Sequence, residues 1–100
     1  MTITMQQTDS TITLKLAGWL DVQTTPELQD YMKTVPETEK LVFDFDELEY
    51  ISSSGVREVV SAYRRQKTAG GSFAVINVRQ EVMDVFAMTG INKKIDISGK

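Results

Sequence analysis

The sequence predicts an α/β (α+β mixed sheet) domain over residues 1–100, with helices packed on a mixed, largely parallel sheet in the order β-β-α-β-α-β-α-β. Three observations predict it. Thr11 to Ala17 alternates apolar and polar residues with the period of a half-buried strand. Further along, short runs rich in strand formers alternate with stretches whose apolar residues recur at helical spacing. Glycine, proline and capping residues fall at the joints between them.

Taken in order, Thr2 to Gln7 alternates through Ile3 and Met5, and Thr8-Asp9-Ser10 supplies turn residues, so this strand and the next form a hairpin. In the second strand Ile12, Leu14 and Leu16 face one way, Thr11, Thr13 and Lys15 the other, and Gly18 closes it. Thr24-Thr25-Pro26-Glu27 opens the first helix with hydroxyl caps, a proline suited to the first helical position and a carboxylate near the positive end of the dipole. Leu28, Tyr31, Met32 and Val35 continue it as an i, i+3, i+4, i+7 stripe to about Val35, and Pro36 marks its end. Leu41-Val42-Phe43-Asp44-Phe45 predicts a central strand covered on both faces. Val56, Val59, Val60 and Tyr63 mark the inner face of a second helix, and Gly70-Gly71 the turn after it. A fourth strand spans Ser72 to Asn77, a third helix carries Val82, Val85, Phe86 and Thr89 up to Gly90, and a last strand covers Lys93 to Ile97.

Composition removes most enzyme classes. The chain has no cysteine and no histidine, which excludes disulfides, thiol nucleophiles, zinc sites of the usual kind and a Ser-His-Asp triad. No phosphate-loop or dinucleotide pattern surrounds Gly70-Gly71, and no serine has an evident histidine or lysine base. We therefore expect a binding protein, not an enzyme, with no catalytic residue, no cofactor and no metal. Asp44, Asp46, Glu47 and Glu49 lack the spacing of an oxygen-ligand loop and predict a solvated acidic turn. A formal charge of −3 disfavours nucleic acid as a direct partner, and Arg57, Arg64, Arg65 and Lys67 predict a solvated helix face. No apolar run approaches a membrane span and the start lacks signal-peptide features, so no membrane insertion and a cytoplasmic location are expected.

The run Leu48-Glu49-Tyr50-Ile51-Ser52-Ser53-Ser54-Gly55-Val56 places three hydroxyls where a loop becomes a helix. The first N–H groups of a helix lack intrahelical partners and carry the positive end of its dipole, so a serine there can cap the helix or carry a phosphate. On position alone, Ser53 or Ser54 is an N-cap. Asp21 is either a loop cap or a partner contact, and Trp19 either a packed residue or an exposed aromatic anchor.

Asp44-Phe45-x-x-Leu48-x-Tyr50-Ile51-x-Ser53-Ser54-Gly55-Val56, with Gly18-x-Leu20-Asp21 upstream and Gly70-Gly71 downstream, resembles the STAS domains of bacterial anti-sigma factor antagonists. Val82-x-x-Val85-Phe86-x-x-Thr89-Gly90-Ile91 is similar to that family's third helix and following turn, so the resemblance covers nearly the whole chain. It implies that a serine of the loop is phosphorylated by a partner anti-sigma factor that is also a serine kinase of the histidine-kinase-like ATPase fold. Unphosphorylated antagonist binds that kinase and so frees a sigma factor; phosphorylated antagonist lets go. The acceptor implied is Ser53, with Ser54 the alternative and Ser52 third. Ser52 stands where the family pattern has aspartate and offers a hydrogen bond without the charge. The docking surface implied comprises Asp21, Ser52, Ser54, Gly55, Val56 and Arg57, with Trp19 as a candidate anchor, on a monomer or weak dimer. The alternative is a constitutive STAS adaptor in a larger signalling assembly or on a transporter ATPase. Similar domains commonly continue into a further helix after the position of Ile97, so one sheet edge or face is expected to be less covered here.

Overall fold

The alternation of the first twenty residues folds as the expected hairpin. β1 (Thr2–Thr8) pairs antiparallel with β2 (Thr11–Leu20), Thr8 opposite Thr11, and Asp9 takes the left-handed conformation at φ 49° that a short polar side chain tolerates in a tight turn. The computed structural model describes residues 1–100, and the remaining elements are α1 (Thr25–Met32), β3 (Lys40–Ile51), α2 (Ser53–Thr68), β4 (Ser72–Val78), α3 (Gln80–Thr89), a 3₁₀ turn at Ile91–Lys93 and β5 (Asp96–Gly99). The strands lie in chain order, β1-β2-β3-β4-β5, with every pair after the first parallel and β3 in the centre.

Register decides which side of the sheet is buried. Ile12, Leu41 and Phe73 lie abreast, as do Leu14, Phe43 and Val75, so these residues share one face. They belong to the same apolar cluster as Leu28 and Met32 of α1, Val56, Val59 and Ala62 of α2, and Val82 and Phe86 of α3. All three helices therefore cover one face, as crossovers of one hand must when strands are added in one direction. Within that core Phe43 meets Phe73 edge-on at 5.0 Å and Phe45 stacks on Phe86 at 6.3 Å. Burying a side chain of such size contributes about 1.5–3 kcal/mol.

The opposite face, through Thr13, Val42 and Ala74 and then Lys15, Asp44 and Ile76, carries no helix. The expectation that β3 is covered on both faces is corrected: it is covered on one. Val42 is buried all the same, by its position in the middle of the sheet.

Several boundaries also differ from expectation. Gly18 does not close β2; it sits inside the strand at φ 101°, between register shifts that let two bulges form, and the strand continues to Leu20. Its partner β3 runs on through Asp46–Tyr50, so the expected acidic turn is strand, and three of its four acids are engaged: Glu47 with Lys15 at 3.1 Å, Asp46 with Lys100 at 3.5 Å, and Asp44 accepting from Asn77 Nδ2 at 3.1 Å, while Glu49 stays exposed. α1 stops at Met32 rather than Val35, because Arg65 donates to the carbonyls of Met32 at 2.6 Å and Val35 at 3.0 Å and fixes a turn there. Arg65 is thus a C-terminal cap for α1, not part of a solvated cationic face. The 3₁₀ turn at Ile91–Lys93 delays β5 to Asp96.

Candidate functional site

Ser52 ends the extended backbone of β3 with ψ 174°, and its hydroxyl accepts from Gly55 N–H at 3.3 Å while its carbonyl accepts from Val56 N–H at 2.9 Å. It is the N-cap of α2. The caps expected at Ser53 or Ser54 are therefore corrected: both are already helical, because the backbone turns one residue earlier. Ser53 is exposed and its hydroxyl has no protein partner; Ser54 is half-buried and accepts from Arg57 Nη2 at 3.3 Å. With Gly55 N–H and Val56 N–H satisfied, the N–H groups of Ser53 and Ser54 remain free at the positive end of a sixteen-residue helix. No acidic residue stands in that first turn.

Gly55 and Val56 lie beneath this surface. A Cβ on Gly55 would come within 2.7 Å of Ile51 Cγ1 and of the Leu20 carbonyl oxygen, so glycine is what lets α2 start pressed against the ends of β2 and β3. Val56 is buried in the core. Ser52 N–H donates to the Leu20 carbonyl at 2.9 Å, which binds the serine turn to the segment leading into Asp21. That segment is locked from within: Asp21 Oδ1 accepts from the N–H groups of Gln23 at 3.0 Å and Thr24 at 3.1 Å. Asp21 N–H in turn donates to Thr24 Oγ1 at 2.9 Å, and that hydroxyl donates to the Trp19 carbonyl at 2.7 Å. Asp21 is a loop cap, half-exposed in the turn that follows β2.

Two surfaces flank the serine turn. On one side Trp19 and Tyr50, abreast on β2 and β3, pack at 5.2 Å between ring centroids while remaining 55 % and 45 % exposed, and Val22 in the next turn is 70 % exposed. On the other side a groove of about 650 Å³ runs between α2 and the turn after α3, lined by Ser53, Arg57, Val60, Ser61, Arg64 and Thr89 among others. No carboxylate lines it, and neither Arg57 nor Arg64 is in an ion pair. Aromatic side chains and arginine are the types that most often anchor protein interfaces.

Trp19, Asp21, Ser52, Ser53, Ser54 and Arg57 are thus gathered around one end of the sheet, whereas Asp46 lies back along β3 on its ion pair with Lys100. Sequence reasoning missed Tyr50 and Val22 as companions of Trp19, and Arg64 and Thr89 as walls of the groove. An aromatic residue at each of two strand ends was the available signal, but only the pairing register makes them neighbours. The one resolved shift of an ionisable group lies elsewhere: Lys15 is raised above its ordinary value of 10.5, first by its hydrogen bond to Glu47 and then by that carboxylate's charge. No helix is long and apolar enough to cross a membrane.

With this geometry in hand, comparison with known proteins gives a consistent result. The STAS domain model matches residues 2–100. The chain is 30 % identical over 101 aligned residues to the anti-sigma-B factor antagonist of Bacillus subtilis, covering 98 % of this chain and 91 % of that one. Among solved structures, an anti-sigma factor antagonist from Mycobacterium paratuberculosis superposes with a TM-score of 0.88 at 22 % identity, covering 99 % of this chain and 86 % of that one. The Bacillus cell fate determinant SpoIIAA in its phosphorylated form gives 0.74 at 19 % identity over 99 % and 93 % of the two chains. At these identities the two structural likenesses speak for the fold.

Proposed function

This chain belongs to the STAS domain family of bacterial anti-sigma factor antagonists, and we propose that it is a cytoplasmic binding module switched by phosphorylation of Ser53. Unphosphorylated, it binds an anti-sigma factor that is also a serine kinase and so releases a sigma factor; phosphorylated, it dissociates. It acts as substrate and ligand, not as an enzyme. The observation that carries the reading is the free, exposed Ser53 hydroxyl on the first residue of α2, between an aromatic pair and a cationic groove.

The chemistry follows from that placement. In the transfer, the bond from Ser53 Oγ to the γ-phosphorus of ATP forms as the bond to the bridging β–γ oxygen breaks, and ADP leaves. The hydroxyl proton passes to a base of the kinase, since Ser52 puts no carboxylate beside the acceptor and its hydroxyl is already spent on the cap. The product carries roughly 1.5–2 negative charges at neutral pH. A helix N-terminus tolerates that charge, so the fold is retained. In an interface the dianion must be desolvated, and each ~1.4 kcal/mol so lost weakens binding tenfold. Trp19, Tyr50 and Val22 supply the apolar area of the docking surface, and Asp21, Ser54 and Arg57 its polar rim.

The test is to incubate the domain with ATP and the candidate anti-sigma kinases of its organism, measure intact mass and locate phosphate by fragmentation. One phosphate on Ser53 is expected, with Ser53→Ala staying bound to the kinase in the presence of ATP and Ser53→Asp binding weakly. Phosphate on Ser54 or Ser52 moves the acceptor and keeps the switch. No phosphate despite stable binding to an active kinase sinks the switch and leaves a constitutive adaptor.

A further inference from the structure

The three arginines of α2 are used differently. Arg65 is engaged by two carbonyls at the end of α1, and Arg64 lines the groove without a partner. Arg57 is exposed and in no ion pair, yet its guanidinium turns back toward the helix start and donates to Ser54 Oγ at 3.3 Å. A neutral hydroxyl at that distance is a weak partner for a fork of five donors built to match carboxylate and phosphate. The neighbouring acid, Glu58, lines the cleft beside α1 with Ser54 and Arg57 but forms no ion pair with Arg57, its carboxylate accepting instead from Gln29 Nε2 at 3.0 Å. Arg57 is a cation without an anion.

Ser53 lies one helical turn before it, at i to i+4, where side chains stand about 5–6 Å apart between Cβ atoms. Ser53 and Arg57 also line the same groove, in which no carboxylate competes. An acidic group on Ser53 would precede the arginine, the order in which an acid–base pair at this spacing also agrees with the helix dipole.

We propose that Arg57 is the internal counter-ion of a phosphate on Ser53, leaving Ser54 to pair with it when Ser53 is modified. The proposal deepens the switch described above and rests on Ser53 as the acceptor. Phosphorylation then changes two things a partner reads. It adds a dianion, and it withdraws the Arg57 guanidinium from the rim and ties it down across the first turn of α2. The phosphate is held on its own domain by a charge-assisted contact of the kind phosphoserine makes with arginine elsewhere.

Arg64 provides a matched control. It lies eleven residues after Ser53, about 16 Å of helical rise, beyond side-chain contact and beyond the ~8 Å over which physiological salt screens exposed charges. The experiment uses the full chain with phosphoserine installed at position 53 by genetic encoding, and titrates the phosphate by phosphorus NMR. The second ionisation of phosphoserine, ordinarily near pH ~6, should lie lower in the parent. Arg57→Gln should raise it by roughly 0.15–0.35 unit, Arg57→Lys by less, and Arg64→Gln, the same change in net charge, by under about 0.1 unit. The gain in Tm on phosphorylation should shrink in Arg57→Gln and persist in Arg64→Gln. Equal shifts in the two Gln variants, or none in either, overturn the proposal. Because the phosphate is installed without a kinase, that failure is distinct from a failure of kinase labelling at Ser53, which would sink the functional reading alone.

Discussion

α1 and α2 both begin after hydroxyl-rich segments, and they use those hydroxyls in opposite ways. At α1, Thr24 has a helical backbone and makes no side-chain cap; its hydroxyl is spent on Trp19 and Asp21, and Thr25 donates to the Asp21 carbonyl at 2.7 Å. The hydroxyl cap expected there is replaced by an aspartate-centred turn. Pro26 removes one orphan N–H and Glu27 places a carboxylate in the first turn. That helix start is closed and neutralised. At α2, one serine caps, a second touches an arginine, and the third is left exposed, with no acid in the turn. The two helix starts thus differ in whether local hydrogen bonding leaves a hydroxyl unspent.

That contrast can be broken in order of expected effect. Gly55→Ala drives a Cβ into the Leu20 carbonyl and Ile51, and should cost about 2 kcal/mol in urea unfolding, outweighing the helix-propensity gain. A neutral or stabilising result would mean that α2 can shift off the strand ends. Asp21→Ala removes the acceptor of two N–H groups and should cost about 1–1.5 kcal/mol, loosening the α1 entrance while the α2 cap stays formed. Ser52→Ala should cost about 1 kcal/mol and Ser53→Ala less than about 0.5, since only the first satisfies an orphan donor. Equal costs for the two would erase the distinction between a capping and an unspent serine.

The smallest effect belongs to the open face of the sheet. Lys15 is raised above 10.5 by Glu47, so the pair's contribution is fully present below about pH 10.5 and is lost as pH rises through the folded value. Both groups are solvent-exposed, and screening keeps the pair weak. Lys15→Met should therefore lose a small amount of stability in unfolding at neutral pH, and that deficit should vanish as pH rises through the folded value of Lys15.

Much of this was legible beforehand, for local reasons. The order of elements, the hairpin, the three helical stripes and the glycine at the end of α3 all follow from patterns a few residues long, and Gly90 does take the left-handed C-cap at φ 75°. The loop-to-helix placement of the serines was legible too, while the cap expected at Ser53 or Ser54 falls on Ser52. Helix ends are set by which N–H finds a partner first, and Ser52 lies at the end of a strand that local pattern had stopped at Phe45.

By itself the sequence determined the class of fold and the kinds of chemistry open to it, since periodicity and composition are properties of the chain before it folds. Only the tertiary structure decided that Trp19 meets Tyr50, that Arg65 closes α1 while Arg57 reaches only Ser54, and that the helices cover one face of the sheet. Those outcomes depend on strand register, on the bulges around Gly18 that reset it, and on the order in which strands join the sheet. Each joins residues distant in the chain, and no local spacing encodes a contact of that kind.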